Sequence, residues 1–257
     1  MVEFVDSFLK ENQTLEGSIK NIEKKSEVSF HCWLTREIHD KGRVRRMRKN
    51  SKESIVEAAV YLFNTKGFSG TSIRDIAAKA GVNPANIAYY FQNKKGLLEY
   101  CFTAYFENYL KELEKGYALL DEGAEVSLKK IVVNLLKYQS QNIQLTRFIL
   151  RELTLDSQMV REVMSTYHVK ERYYFKKVLE RGMRTKEFRN HSVPYIILQL
   201  KSLLNTPFLN IHYVNEVLHI LPHESYFVEK YSREIFQWID STLRAPRSFD
   251  NRRILSI

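Results

Sequence analysis

AAVYLFNTKGFSGTSIRDIAAKAGVNPANIAYYFQNKKGLLEY, residues 58–100, is the stretch on which the fold turns. It closes one amphipathic helix, holds two short ones and opens a fourth. Upstream from it to Asn50, the apolar residues Ile55, Ala59, Leu62 and Phe63 recur at i, i+4, i+7 and i+8, which places them on one helical face. Asn50 followed by Glu53 resembles a capping box, and Lys66-Gly67 predicts the end of that helix. The next stripe is Ile73, Ile76, Ala77 and Ala80, opened by Thr71 or Ser72 and closed at Gly81. Asn83 and Pro84 start a third helix, a cap residue before proline at the first helical position, and it gives out near Tyr90-Phe91. Asn93 caps a fourth helix through Leu97, Leu98 and Phe102 towards Lys115.

A short helix, a glycine turn and a second short helix make a helix-turn-helix. Ile73, Ile76, Ala77, Val82 and Ile87 would pack the pair against the first helix, with Phe91 in the core. Ala77, Ala78 and Ala80 let the two cross closely. Left outward on the third helix are Pro84, Ala85, Asn86, Tyr89 and Tyr90, with Lys94 and Lys95 just beyond. With Thr71, Ser72 and Arg74 at the second helix, these are the candidate DNA-binding residues. Asn can bond a base edge, small side chains admit close approach to a groove, and Tyr hydroxyls and Lys amines bond phosphates. The free amides opening the fourth helix offer a further phosphate site. A Tyr-Tyr-Phe run is more often core than binding surface. Here Tyr89 and Tyr90 close the turn-following helix beside Lys94, which favours DNA.

Charge points to the same segment. The chain of 257 residues carries a net +10, and residues 47–97 hold 8 basic against 3 acidic side chains, while the 160 residues after them hold only +4. Two cysteines, Cys32 and Cys101, cannot make a disulfide framework and fit a reducing compartment; Cys101 reads as a buried small apolar residue. With no signal peptide and no run of about 18 apolar residues, a soluble, cytoplasmic protein is expected.

The motifs LF-x-x-KGF (62–68), T-S-I-R-D-I-A (71–77), A-G-V (80–82), Y-Y-F (89–91) and K-x-x-L (94–97) resemble the DNA-binding domain of the TetR family of bacterial transcription regulators. Family members often carry an acid where Lys95 stands, so this chain adds positive charge there. The resemblance implies an all-α fold: a three-helix helix-turn-helix domain at 47–97, then a larger helical regulatory and dimerisation domain at 98–257. It further implies a homodimer built on helices 193–206 and 223–242, and an inverted-repeat site in double-stranded DNA. LERGMRTKEF (179–188) resembles the family's connection before the first of these. In that first helix Ile196, Ile197, Leu200, Leu203 and Leu204 form a stripe broad enough for core and partner. The remaining periodic segments predict helices at 127–142, 144–154, 157–183 and 209–219.

FSGTS (68–72), N-x-x-x-I-x-YYF (83–91) and PHESYFVEKY (222–231) are similar to a branch of the family in spore-forming bacteria that regulates the division protein FtsZ. That likeness implies FtsZ as a partner, a nucleoid-associated location and a role in positioning the Z-ring relative to the chromosome during sporulation. Arg147, Arg151, Arg161 and Glu162 are the candidate partner surface, against the plainer reading of solvated charges. The other reading is a repressor released by a small-molecule effector, unidentified by the sequence. Tyr138, Phe148, Tyr167, Tyr173, Tyr174 and Phe175 could line its cavity or be plain core.

No P-loop, dinucleotide fingerprint, nucleophile elbow or zinc-spaced Cys/His set occurs, so an enzyme, a cofactor and a metal are not expected. His219 and His223 stand four apart, but Pro222 breaks the helical register between them. Residues 1–46 hold mixed charges without apolar periodicity, and Met47 directly precedes the first clear helix. Lys41-Gly42-Arg43 can be encoded by a purine run placed as a ribosome-binding site for a Met47 start. Residues 1–46 are therefore expected to be upstream sequence outside the native chain. The rival expectation is a disordered arm with Arg43, Arg45, Arg46 and Arg48 on phosphates.

Overall fold

The computed structural model describes residues 50–155 and 157–245, the Met159 side chain excepted, all within one compact unit that begins at Arg45. The expectations for residues 1–46, Cys32 among them, and for Arg48 lie outside the described residues.

Local signals account for the first four helices. Asn50 accepts the Lys52 amide and opens α1 (Ser51–Lys66), which ends at Gly67 with φ 77°. The reciprocal capping box falls not at Asn50 but at α2 (Ile73–Ala80), where Ser72 and Asp75 exchange bonds. Gly81 closes α2 with φ 68°, a left-handed conformation that costs glycine little. Asn83 caps and Pro84 leads α3 (Pro84–Phe91). Asn93 then caps α4 (Lys94–Tyr117), one continuous helix that carries the chain out of the helix-turn-helix. Ile76, Ala77, Ile87 and Phe91 are buried, and Ile73 and Val82 pack against them, so α1, α2, α3 and the start of α4 share one core.

The larger domain adds α5 (Ala124–Gln141), α6 (Ile143–Thr154), α7 (Gln158–Arg184), α8 (Val193–Leu209) and α9 (Ser225–Thr242), an all-helical architecture. Helix α4 meets α5 so closely at Gly116 that an added Cβ would lie 2.6 Å from the Ile131 side chain. Glycine is required there for contact rather than for flexibility. The turn after α7 is pinned in the same way: Gly182 lies under the Phe188 ring, and Phe188 forms an isolated antiparallel bridge to Arg244.

Two segments differ from expectation. Helix α8 runs past Pro207 to Leu209, because Tyr231 takes the Leu203 carbonyl that proline cannot serve. The helix expected at 209–219 is shorter and differently wound: residues 211–217 are helical, Tyr213–Val217 as a π turn, and His219 follows at φ 54°. Only Val214 of that turn is buried, so the segment has no inward stripe to hold an α-helix. His219 and His223 are exposed, and His223 sits 3.4 Å from Glu224. No group of three metal-ligating side chains occurs among the described residues, nor a helix long and apolar enough to cross a membrane. Cys101 is buried, and burial pushes its thiol up to about 12.

Buried polar side chains tie the domain together. Glu171 on α7 accepts the Tyr109 hydroxyl at 2.9 Å and the Lys201 ammonium from α8. One turn along α4, Tyr105 packs on Tyr138, and its buried hydroxyl lies beside the Thr146 and Gln139 side chains. Gln139 donates to Asn205 at 2.9 Å but leaves its own oxygen unpaired, as does Asn142.

Candidate nucleic-acid interface

The outward face of α3 is short, small and aromatic. Pro84, Ala85 and Ala88 are exposed, Asn86 is half-buried, and Tyr89 stands 82% exposed beside Tyr90 at 38%. The two tyrosine rings meet edge-on at 5.0 Å. A ring of that size left in water by a folded chain is an unsatisfied surface, and its hydroxyl reaches further than any other group on α3. Ala88 completes the row of Ala85 and Tyr89 at i+3 and i+4. It is absent from the candidates drawn from sequence, although helical spacing alone would have found it.

At the start of α2, Ser72 Oγ accepts the Asp75 amide at 3.1 Å and donates to the Asp75 carboxylate at 2.7 Å. Those bonds hold the Asp75 carboxyl below its ordinary range. Ser72 and Arg74 are exposed. Thr71 is not: its side chain is buried, and its hydroxyl donates to the Gly67 carbonyl at 2.8 Å. The structure thus removes the Thr71 side chain from the outward set, because the turn after α1 needs its hydroxyl internally.

The link from α3 to α4 is abrupt. Gln92 has φ 65° and ψ −55°, and the Asn93 amide donates to the Phe91 carbonyl at 2.7 Å, a γ-turn with its central residue on the rare positive-φ side. Such a turn costs strain, and the rigid frame around it sustains the geometry. It swings Asn93 into place to cap α4 through the Gly96 amide at 3.0 Å. No local signal announces this turn, since the position carries glutamine rather than glycine.

Lys94 and Lys95 part company. Lys94 donates to the Phe68 and Thr71 carbonyls, both at 2.9 Å, and lies 4.5 Å from the Phe68 ring centroid. It braces the loop before α2 against α4. Lys95 points outward, 3.8 Å from Glu99.

The four candidate partner residues separate as well. Arg151 donates to the Phe63 carbonyl at 2.5 Å and to the Asn64 carbonyl at 3.4 Å, binding α6 to the C-terminal end of α1. It is not a free surface charge: it gives the Phe63 carbonyl a second donor beside the Gly67 amide, and a cation suits the negative end of a helix. Asn64 returns a bond to the Gln144 carbonyl at 2.8 Å, and Phe63 stacks on Phe148 at 5.0 Å. Arg147, one turn from Arg151, is half-buried, and burial with its neighbour's charge lowers its pKa. Arg161 and Glu162 are exposed near the start of α7, where Glu162 accepts from Gln158 at 2.9 Å. Among the candidate cavity aromatics, Phe148 and Phe175 are wholly buried, while Tyr173 faces out at 39% exposure.

This geometry stands beside known proteins as follows. Residues 55–101 match the model of the bacterial regulatory proteins, tetR family. The chain is 46% identical over 199 residues to the Probable HTH-type transcriptional regulator YttP of Bacillus subtilis, covering 77% of this chain and 96% of that protein. The chain belongs to the TetR family. TetR-type proteins are transcriptional regulators, and the helix-turn-helix described above is their DNA-binding unit. The biofilm operon icaADBC negative transcriptional regulator IcaR of Staphylococcus epidermidis shares 28% identity over 72 residues, 26% of this chain and 39% of IcaR. The TetR family regulator PfmR from Thermus thermophilus superposes with TM-score 0.63 at 19% identity, over 73% of this chain and 97% of PfmR. That likeness fixes the fold.

Proposed function

We propose that this regulator binds inverted-repeat DNA as a homodimer and couples cell division to chromosome position during sporulation by acting on FtsZ assembly. The observation that carries the DNA part is the exposed α3 face: Ala85, Ala88 and Tyr89 form an outward row over a buried Ile87 and Phe91. Ser72, Arg74, Asn86, Tyr90 and Lys95 flank it as the remaining contacts. The division part rests on FSGTS, N-x-x-x-I-x-YYF and PHESYFVEKY, which resemble RefZ, the TetR-like regulator of FtsZ in spore-forming bacteria. Arg147, half-buried on α6, and Arg161 and Glu162, exposed on α7, are the candidate residues for such a partner.

A second reading, a repressor gated by an effector, is favoured by one feature. The Gln139 and Asn142 side-chain oxygens are buried without partners in the core of the larger domain. Buried polar groups are ordinarily paired, and a small molecule carrying hydrogen-bond donors would satisfy them.

Crosslinking and sequencing of bound chromosomal sites in the native host separates the readings, with a Tyr89→Ala/Tyr90→Ala chain as control. Inverted repeats flanking the replication origin, away from promoters, support the division role. Sites overlapping promoters support the gated repressor. Undiminished binding by the double variant overturns the assignment of the α3 face.

A further inference from the structure

We propose that the connection between α8 and α9, Leu209–Ile220, is a dimerisation arm that packs on a second copy of this chain. This rests on the homodimer reading above and goes beyond it, because that reading needs only α8 and α9.

The segment collects apolar surface that the protomer itself does not cover. Leu209, Tyr213, Val217, Leu218 and Ile220 are exposed by 47%, 48%, 57%, 47% and 37%, and Tyr226 at the start of α9 by 42%. The π turn brings three of them onto one face. Widened to about 4.4 residues per turn, it brings positions i, i+4 and i+5 onto one face. Tyr213, Val217 and Leu218 have that spacing, while Val214 is buried and the Asn215 side-chain oxygen turns inward beside it. The Leu218 amide on the Tyr213 carbonyl at 3.1 Å holds the turn. Phe208 meets Phe227 at 6.1 Å, which sets Leu209 and Tyr226, their chain neighbours, at the same end of the α8–α9 pair.

Along α8 the same outward face continues. Tyr195 (68% exposed), Leu198 (63%), Ser202, Thr206 and Leu209 recur at spacings of three and four, so the arm extends a face already unpartnered. Of the stripe named from sequence, Ile196, Leu200 and Leu204 are buried in the protomer's own core, and Ile197 and Leu203 pack partly buried against it. Half-exposed side chains of this size offer on the order of 100 Å² each. Eight of them approach the roughly 800 Å² that each partner brings to a standard interface. Scattered exposed residues such as Val169 need no such account.

The charges beside the patch suit self-association. Glu229 pairs with Arg233, Lys230 lies 5.2 Å from the Tyr226 ring centroid, and Glu216 stands on the π turn itself. Alternating signs of this kind can face their own copy across a two-fold axis without net repulsion. A strongly acidic or basic partner would meet no complementary field.

The test is sedimentation velocity of the full chain across a concentration series, for wild type, Val217→Asp/Leu218→Asp and a control, Val169→Asp on α7. The expected result is a dimeric wild type and control, with the dimer dissociation constant of the arm variant raised about tenfold or more. Circular dichroism should show its helix content unchanged. In parallel, Val217→Cys should gain a crosslink between protomers with a bis-maleimide, above the background of the unsubstituted chain. An arm variant that dimerises as wild type does, with no added Val217→Cys crosslink, overturns the arm and leaves the homodimer standing. A wild type that stays monomeric overturns the homodimer reading and the arm together.

Discussion

The Tyr231 hydroxyl on α9 donates to the Leu203 carbonyl on α8 at 2.9 Å. Leu203 lies four residues before Pro207, so its oxygen is the acceptor that the missing proline N–H would have served. The α8–α9 pair is thus held by a bond that repairs a defect within α8. Tyr231→Phe should lower unfolding stability by about 1 kcal/mol, the usual worth of such a bond. In a Pro207→Ala background the amide at 207 can serve Leu203, and the same change should cost less than half as much. Urea unfolding of the four proteins in this cycle measures the coupling. Equal losses in both backgrounds would detach the tyrosine from the proline.

A second bond network joins the DNA-binding helices to the rest. Arg151 reaches the Phe63 and Asn64 carbonyls, Asn64 reaches the Gln144 carbonyl, and Phe63 stacks on Phe148. Arg151→Ala should therefore destabilise the fold by about 2 kcal/mol, the range of charge-assisted bonds to a helix end. Thermal unfolding should show the loss while sedimentation shows an unchanged oligomer. A neutral effect would return Arg151 to the class of solvated surface charges.

Much of this was legible in the sequence because it is written in local chemistry. Asn50, Asn83 and Asn93 announce helix starts, and Gly67 and Gly81 announce ends, through bonds made within a few residues. What stayed hidden depends on distant partners. Arg151 reads as a surface arginine until α1 is placed beside it. Lys94 reads as a phosphate ligand until the Phe68 and Thr71 carbonyls converge on it. Thr71 looks outward by its place before α2, yet the Gly67 carbonyl claims it. The stripe on α8 already left Leu198 out by spacing, but only packing separated buried Leu200 and Leu204 from the partly buried Ile197 and Leu203 within it.

The two adjacent lysines give a test of that distinction. Lys95 is exposed, so Lys95→Ala should weaken binding to all DNA sequences alike and reduce the salt slope by about 1, leaving stability unchanged. Lys94→Ala should instead lower thermal stability, because two carbonyls lose their donor, and weaken DNA binding through the displaced loop. Fluorescence anisotropy across salt concentrations, beside thermal melts, distinguishes them. Matching behaviour of the two variants would make Lys94 a phosphate contact after all.

Tyr89 should behave differently from both. At 82% exposure it contributes little to the fold, so Tyr89→Ala should leave the melting temperature unchanged while weakening DNA binding. If half-buried Asn86 reads a base edge, as proposed, Asn86→Ala should cost about 1–3 kcal/mol at one or two base positions of the site. Competition binding with single-base variants of the mapped site reads the difference. A uniform loss across all of them would move Asn86 to the phosphate-contacting group.

Two buried carboxylates predict opposite dependences on pH. Burial alone would raise the Glu171 pKa, but His168, Lys201 and Tyr109 outweigh it and hold the group below the ordinary range. A depressed pKa means the folded state prefers the charged form. The stability from Glu171 is then present above the unfolded carboxylate pKa and lost as pH falls through the lower folded value. Glu152 is the reverse: burial raises its pKa, and the nearby Arg151 only partly opposes this. Its contribution is present below the unfolded pKa and lost as pH rises through the folded value, so the charged form at neutral pH is a burden on α6. Glu171→Gln should accordingly destabilise at neutral pH and flatten the acid limb of the stability curve. Glu152→Gln should stabilise at neutral pH and remove a decline just above the ordinary carboxylate range. Urea unfolding at intervals between about pH 3 and pH 8 follows both. Loss of stability in the Glu152→Gln protein at neutral pH would mean that its carboxylate makes a bond worth more than its burial costs.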